Sequence, residues 1–263
     1  MKQRLDLALV ERGLVETRAR AQALIMAGEI LVDGKRVDKA GAQVDESAAL
    51  ELKAGLPYVS RGGLKLAHAL DLFGLRERVA GSVALDIGAS TGGFTDVLLQ
   101  AGALRVYAVD VGTNQLAWKL RSDPRVVAME QTNIRYLESL PERANLATTD
   151  VSYIGLELIT PTAMKLTTPD AFMVFLIKPQ FEAGRDRVGK GGVVRDTGVH
   201  RDVIIRLAEI WRDAKLHFAG LVRSPITGPA GNVEYLALLE KSAPTTAFNL
   251  EEAIDREVFL HGK

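Results

Sequence analysis

Two short helices are predicted at the start of the chain, because apolar residues recur there at helical spacing. The first covers residues 4–12 and ends at Gly13. The second covers residues 18–27, with Thr17 as its N-cap and Gly28 as its end. These stop and start signals indicate two separate helices rather than one long one.

A small sheet is predicted directly after these helices. Residues 30–32 form an apolar strand, and Asp33-Gly34 is a pair typical of a type I′ hairpin turn. A further strand is predicted over residues 49–52. The pattern therefore predicts a compact α+β domain over residues 1–58.

The rest of the chain, residues 59–263, alternates between helical and strand patterns. Helices are predicted over 63–73, 91–101, 155–165 and 199–214, and strands over 83–87, 105–110, 125–129, 146–149, 171–177, 216–223 and 233–240. This alternation is typical of an α/β fold with a mostly parallel, doubly wound sheet. The turn-rich stretch before the last strand predicts a terminal hairpin, so that this strand is antiparallel.

Composition limits the class of protein. Hydrophobic residues make up 47% and charged residues 25% of the 263 residues, as in ordinary globular proteins. The chain has no cysteine, which excludes disulfides and thiolate metal sites, and no metal is expected. The sequence shows neither the apolar region of a signal peptide nor an apolar run long enough to span a bilayer. We therefore expect a cytoplasmic protein without a membrane partner.

The formal net charge is zero, so any attraction to nucleic acid must be local. Basic residues do gather in two places, although such clusters are also typical of a solvated face. They are Arg12, Arg18, Arg20, Lys35 and Arg36 in the first domain, and Arg185, Arg187, Lys190, Arg195 and Arg201 later.

A glycine-rich loop follows the strand over residues 83–87. It lacks the Gly-Lys-Ser/Thr ending of a phosphate-binding loop and the glycine spacing of a dinucleotide fingerprint. It resembles the Asp-x-Gly-x-x-x-Gly signature of class I methyltransferases, in its FtsJ-like form. The resemblance implies a site for S-adenosylmethionine, in which Asp110 holds the ribose hydroxyls. Candidate cofactor residues are Asp86, Gly88, Ala89, Ser90, Gly92, Gly93, Phe94, Asp110 and Asn133, although Asn133 fits a helix cap equally well.

Four charged residues fall at predicted element ends or in the last strand: Lys65, Asp150, Lys178 and Glu234. Lys178 ends a very apolar strand, where an ammonium group needs a partner. The order Lys-Asp-Lys-Glu matches the tetrad of ribose 2′-O-methyltransferases. A ribose hydroxyl must lose its proton as it attacks, and Lys178 would be the base if burial and Lys65 favoured its neutral amine. The sequence leaves open whether Lys178 is the base or only positions the hydroxyl.

The first domain resembles the S-four-like RNA-binding module. The resemblance rests on Arg4-Leu5-Asp6, Arg12-Gly13-Leu14 and Val32-Asp33-Gly34-Lys35. It implies that the second helix and the hairpin face structured RNA; the alternative is a small cap with solvated side chains. The candidate RNA-binding residues are Arg4, Arg18, Arg20, Lys35, Arg36, Arg185 and Lys190.

Together these motifs are similar to those of the TlyA/hemolysin A family, as are the segments 59–66, 177–182 and 189–196. The resemblance implies 2′-O-methylation of cytidine in ribosomal RNA, with ribosomal RNA or ribosomal subunits as partners. Two alternatives remain: an RNA-binding assembly factor without turnover, and a membrane-active hemolysin. Neither the nucleotide, nor the subunit, nor the oligomeric state follows from the sequence.

Overall fold

The computed structural model describes residues 2–52, 56–244 and 247–260. The chain forms two compact units, Met1–Pro57 and Tyr58–Lys263. Within the described residues, none of the helices has the length and apolarity needed to cross a membrane. The same residues hold no cluster of three or more side chains suited to a metal ion.

The described part of the smaller unit has two helices and two small sheets. Its elements are β1 (Lys2–Arg4), α1 (Leu5–Glu11), α2 (Arg18–Ala27), β2 (Ile30–Val32), β3 (Lys35–Arg36), β4 (Gln43–Asp45) and β5 (Leu50–Leu52). Strand β2 lies between β3 and β5, and β1 pairs with β4, all antiparallel. Leu5, Leu9, Ile25 and Ile30 are buried in its core.

The predicted local signals of this unit are confirmed. The Thr17 hydroxyl oxygen accepts a hydrogen bond from the backbone N–H of Arg20 at 3.2 Å, which caps α2. Asp33 and Gly34 have φ values of 49° and 74°, the left-handed pair that a type I′ hairpin requires. The pairing of β1 with β4 was not predicted, and residue 4 belongs to a strand rather than to the first helix.

The described part of the larger unit contains seven strands and eight α-helices, with short 3₁₀ turns in some of its loops. Its elements are α3 (Gly62–Leu72), α4 (Arg76–Val79), β6 (Val83–Ile87), α5 (Gly93–Gln100), β7 (Arg105–Val109), α6 (Trp118–Arg121), β8 (Val126–Met129), β9 (Ala144–Thr149), α7 (Thr160–Leu166), β10 (Thr167–Ile177), α8 (Pro179–Glu182), α9 (Thr197–Asp213), β11 (His217–Arg223), β12 (Tyr235–Glu240) and α10 (Leu250–Ile254).

Seven strands form one sheet in the order β11-β12-β10-β9-β6-β7-β8. Strand β12 is antiparallel to both of its neighbours, and the other pairings are parallel. The predicted doubly wound sheet with an antiparallel last strand is thus confirmed. The last strand lies inside the sheet rather than at its edge.

Helices cover both faces of this sheet. Leu66 and Leu70 of α3 pack on one face, and Val203 and Leu207 of α9 pack on the other. All five residues of β6 are buried, as expected for a parallel strand covered on both sides.

The topology places a ligand site at one edge of the sheet. From β6 the chain moves outward to β7 and β8, and then returns to β9 and β10 on the other side of β6. In such sheets the crevice at the carboxyl ends of the strands, where the direction reverses, is where ligands bind. Because β12 is antiparallel, its beginning lies at this same edge.

Candidate active site

The glycine-rich loop leaves β6 at this edge and packs closely against the end of β9. Gly88 has a φ of 81°, and a Cβ there would lie 2.7 Å from the carbonyl oxygen of Asp150. Ser90 has a φ of 49°, an unusual conformation for a residue other than glycine. Such backbone strain is found mainly at functional sites.

Asp86 lies beneath the loop rather than in the crevice. Its side chain is fully buried and accepts hydrogen bonds from the hydroxyls of Thr95 at 2.6 Å and Thr148 at 3.0 Å. Burial raises the pKa of Asp86 to about 6, although both hydroxyls oppose this shift. Asp86 thus supports the loop from below, and its predicted contact with the cofactor stays a prediction.

Asp110 follows β7 and lines a cavity of about 590 Å³, here called the Asp110 cavity. Its two carboxylate oxygens accept hydrogen bonds from the backbone N–H groups of Ser90, at 2.8 Å, and Gly112, at 2.7 Å. A carboxylate oxygen can accept more than one hydrogen bond, so a ribose diol can still donate to this side chain. These acceptor atoms thus fit the hydroxyls of a ribose such as that of S-adenosylmethionine.

Asn133 lines the same cavity, and it also acts as a helix cap, the other role predicted for it. Its side-chain oxygen accepts a hydrogen bond from the backbone N–H of Arg135 at 3.1 Å and caps the 3₁₀ turn Ile134–Tyr136.

The loop itself lines a second cavity of about 320 Å³, here called the loop cavity. The predicted cofactor residues in its wall are Gly88, Ala89, Ser90, Gly93 and Phe94. Gly92 instead faces α6, because a Cβ there would lie 2.2 Å from a Leu120 methyl carbon.

The four charged residues come together beside the loop cavity. Lys178 Nζ lies 2.7 Å from Asp150 Oδ1, and Lys65 Nζ lies 3.7 Å from Asp150 Oδ2. Lys65 Nζ also donates to Glu234 Oε2 at 2.6 Å. Side chains from the ends of β9 and β10, from α3 and from the start of β12 thus form one chain of charges. Glu234 directly precedes β12, which corrects its predicted place within the last strand.

Burial makes these contacts strong. Lys65, Lys178 and Glu234 are 6%, 9% and 1% exposed. Two ammonium and two carboxylate groups balance each other, which buried charges require. Lys178 Nζ also donates a hydrogen bond to the hydroxyl of Ser152 at 3.1 Å. An ammonium has three N–H donors, so this geometry leaves one for an oxygen atom of a substrate.

Lys178 separates the loop cavity from a third cavity of about 820 Å³, here called the Phe181 cavity. Tyr153 and Phe181 line the Phe181 cavity, and their ring centroids are 4.7 Å apart. Ser152 lines all three cavities, so they meet beside its hydroxyl, and Lys178 lines the loop cavity and the Phe181 cavity. The arrangement can bring two different molecules to one polar group from opposite sides.

The predicted RNA-binding residues lie in different surroundings. Arg4 and Arg18 both bind the buried carboxylate of Asp6, at 2.9 and 3.0 Å. These contacts hold the pKa of Asp6 well below its usual range. Residues Arg20, Lys35, Arg36, Arg185 and Lys190 are exposed, and Arg185 lines the Phe181 cavity.

Several residues of the site were not identified from the sequence: Ser152, Tyr153, Phe181, Glu182 and Asn232. Their roles depend on loop geometry, which residue spacing does not show. The one available signal was position, because Ser152 and Tyr153 follow Asp150 directly, and Phe181 and Glu182 follow Lys178 within four residues.

Comparison with known proteins decides the family. Residues 58–241 match the model of the FtsJ-like methyltransferases, and residues 3–50 match the S4 domain, the S-four-like module. The chain belongs to the FtsJ-like methyltransferase family. Within this family it has the additional S4 domain and resembles the proteins named TlyA and hemolysin A, as the motifs predicted.

Relatives of this FtsJ-like methyltransferase match over most of its length. A proposed rRNA methyltransferase of Bacillus subtilis, YqxC, is 51% identical, covering 89% of this chain and 84% of the relative. TlyA of Mycobacterium tuberculosis, named a 16S/23S rRNA (cytidine-2′-O)-methyltransferase, is 42% identical over 97% of both chains. The solved structure of a proposed hemolysin from Streptococcus thermophilus is 45% identical, with a TM-score of 0.74, and covers 97% of this chain and 95% of that one.

Proposed function

We propose that this FtsJ-like methyltransferase transfers a methyl group from S-adenosylmethionine to the 2′-hydroxyl of a cytidine in ribosomal RNA. The proposal rests on one observation, the Lys178 amine held by Asp150 and Ser152 between the loop cavity and the Phe181 cavity. The name of the M. tuberculosis relative, a 16S/23S rRNA (cytidine-2′-O)-methyltransferase, supports the same reaction and substrate.

We assign the cofactor to the Asp110 and loop cavities. Asp110 would accept hydrogen bonds from the ribose hydroxyls, Asn133 would contact the adenine, and the backbone of residues 88–94 would hold the amino acid part. When bound, S-adenosylmethionine supplies an electrophilic methyl group on a sulfonium, whose sulfur keeps the electron pair of the broken bond. The carboxylate of Asp150 lines both cavities and favours a positive charge there.

The nucleoside then enters from the Phe181 cavity, and its 2′-oxygen contacts Lys178. Asp150 and Ser152 fix the position of Lys178, whose neutral amine takes up the hydroxyl proton and becomes an ammonium as the 2′-oxygen attacks. Lys65, held by Glu234, fixes Asp150 from the other side. Tyr153 is 89% exposed, and its ring offers a face on which a base can stack.

We further propose that residues 1–58 bind the RNA and residues 59–263 perform the chemistry. The exposed side chains of Arg20, Lys35 and Arg36 would contact phosphates directly. Arg4 and Arg18 would contribute as well, although each already binds Asp6. Arg185 and Lys190 would contact the RNA near the target nucleotide.

The test replaces the Lys178 amine. Lys178→Met should leave cofactor affinity within about twofold, and it should slow methyl transfer to ribosomal RNA by roughly 10²- to 10⁴-fold, the usual loss for a general base. Lys178→Arg should be slow as well, because a guanidinium remains protonated. Lys165→Met, an exposed lysine on α7, is the matched control and should be as fast as the wild type.

Each variant is measured by the transfer of labelled methyl groups, with the modified ribose mapped on the RNA. An arginine variant as fast as the wild type would show that Lys178 only positions the ribose. If the wild-type protein bound ribosomal RNA but methylated none of it, the proposed reaction would be wrong and an RNA-binding assembly factor would remain.

A further inference from the structure

Glu182, the last residue of α8, is a buried carboxylate outside the group of four charges. It is 8% exposed. Its Oε1 accepts a hydrogen bond from the backbone N–H of Leu156 at 2.8 Å, and its Oε2 accepts one from Arg206 Nη2 at 2.6 Å. One side chain therefore joins α8, the loop after β9 and helix α9.

The burial of this carboxylate is unfavourable without its partners. Burial raises the pKa of Glu182, and the Leu156 N–H and Arg206 oppose the shift. Arg206 is also held independently, because it donates to Glu157 Oε2 at 2.9 Å and to the carbonyl oxygen of Glu182 at 3.1 Å. Without the Glu182 carboxylate, Arg206 would keep these two other acceptors, whereas the N–H of Leu156 would lose the acceptor that it has here.

This contact fixes the loop that forms one wall of the Phe181 cavity. The loop from residue 151 to residue 155 ends at Leu156 and includes Tyr153, whose φ is 63°. Tyr153 packs against Phe181, the residue directly before Glu182. Glu182 thus joins the backbone that carries Phe181 to the loop that carries Tyr153. This aromatic pair lies next to Lys178.

We propose that Glu182 is a positioning residue for the RNA substrate: through Leu156 it holds Tyr153 against Phe181 and so sets the shape of the cavity wall next to Lys178. The role rests on the proposed function, because the wall matters only if a nucleoside enters this cavity. Glu182 does not touch the substrate and acts through the loop.

The first experiment compares Glu182→Ala, Glu182→Gln and Glu157→Ala. Glu182→Ala should raise the KM for ribosomal RNA about tenfold, the effect of losing one buried hydrogen bond, with kcat and cofactor affinity within about twofold. Glu182→Gln keeps an acceptor for Leu156 and should remain within about threefold of the wild-type KM. Glu157→Ala removes the exposed partner of the same arginine and should change nothing.

Equal losses in the alanine and glutamine variants would overturn the proposal, since the hydrogen bond to Leu156 would then not position the loop. A parallel loss of cofactor affinity would also overturn it, by showing a general structural defect.

The second experiment needs no turnover and separates this proposal from the proposed function. Amide hydrogen exchange over residues 152–158, measured on the full chain without RNA, should become at least about tenfold faster in Glu182→Ala and stay unchanged in Glu157→Ala. Unchanged exchange in Glu182→Ala would overturn the role of Glu182 even if the wild-type enzyme methylated RNA. A wild type that methylated no RNA would instead contradict the proposed function.

Discussion

At the scale of single residues, Asp150 determines how the two lysines are arranged. Its carboxylate is 21% exposed and lies within 4 Å of both ammonium groups, whereas Glu234 is 1% exposed and pairs with Lys65. Removing a buried partner leaves an uncompensated charge, which is costly. Loss of Asp150 would therefore disturb both lysines, and loss of Glu234 would disturb Lys65 first.

Asp110 gives the prediction for the cofactor. Asp110→Ala removes the proposed acceptor of the ribose hydroxyls and should weaken the binding of S-adenosylmethionine by about 1.5–3 kcal/mol, the range for charge-assisted hydrogen bonds. Asp110→Asn keeps one acceptor oxygen and should lose less. Titration calorimetry measures both affinities. Unchanged binding in the alanine variant would remove Asp110 from the site.

Asp86 gives a prediction about stability and pH. Its pKa in the folded protein is about 6, whereas that of an aspartate in an unfolded chain is about 3.9. The folded state therefore binds the proton of Asp86 more tightly than the unfolded state does. The resulting contribution to stability is fully present below the pKa of the unfolded chain, about 3.9, and is lost as the pH rises through the pKa of the folded protein, about 6. Asp86→Asn should remove this dependence. Between about pH 4 and about pH 7 the variant should gain on the order of 3 kcal/mol relative to the wild type.

Urea unfolding followed by tryptophan fluorescence measures this difference. Both tryptophans, Trp118 and Trp211, belong to the larger unit, so the signal reports the unit that contains Asp86. Asp213→Asn, in which an exposed carboxylate is replaced, should follow the wild type. Parallel curves for Asp86→Asn and the wild type would contradict the assigned burial effect.

At the scale of elements, apolar runs made the larger unit predictable. Strand β6 is buried on both faces, and such strands are continuous runs of apolar residues. Strand β10 starts at Thr167, four residues before its predicted start. The apolar pattern did not include these four residues because most of them are polar. Strands β1 and β4 are three residues each, too short to show alternation, and pair across a long separation. Their pairing depends on tertiary contacts that no local pattern records.

The candidate site was predictable to the extent that its residues stand at strand ends. Asp150 and Lys178 follow directly on buried strands, and parallel strands bring such positions to one edge. The depth of Asp86 was not predictable, because the same motif position can face the crevice or the layer beneath it. Asn232 was also missed, because the turn signal around it does not show which distant backbone groups its side chain contacts.

Asn232 fixes one end of the glycine-rich segment over residues 184–194. Its side chain donates to the carbonyl oxygen of Gly192 at 2.9 Å and accepts from the N–H of Val194 at 3.0 Å. The buried ring of His200 lies 2.9 Å from the carbonyl oxygen of Val194. Near the first end, the exposed side chain of Arg187 donates to the carbonyl oxygen of Ala183 at 2.9 Å and to the exposed carboxylate of Asp202 at 3.1 Å, and solvent weakens such exposed contacts. The segment is thus fixed at its second end.

The resulting prediction concerns the mobility of this segment. Without RNA, limited proteolysis should cut within residues 184–191 and spare residues 192–196, and RNA should protect the whole segment. Asn232→Ala should extend cleavage to the second part, whereas Asn249→Ala, at the cap of α10, should not. Equal cleavage with and without RNA would show that the segment is only a connector.

At the scale of the whole molecule, a neutral chain has to attract RNA through one of its parts. We expect the smaller unit to provide most of this attraction, because Arg20, Lys35 and Arg36 are exposed there. Binding through phosphates releases counterions, so affinity should fall as salt increases.

The last prediction removes that unit. Deletion of residues 1–57 should leave the affinity for S-adenosylmethionine unchanged, because the residues that line the two cavities assigned to the cofactor begin at position 60. It should abolish methylation of ribosomal RNA. In the full chain, Lys35→Glu should weaken RNA binding and lower the dependence of log affinity on log salt by about one unit, the share of one phosphate contact.

Lys39→Glu makes the same change of charge at an exposed lysine outside the proposed contacts, and so separates a local contact from a general loss of positive charge. It should reduce affinity less than Lys35→Glu and should leave the salt dependence nearly unchanged. Because both variants keep every residue of the larger unit, neither should change cofactor affinity. If the two variants lost equal affinity, the hairpin would act only through net charge. A truncated enzyme that methylated ribosomal RNA at the full rate would place the RNA-binding surface in the larger unit instead.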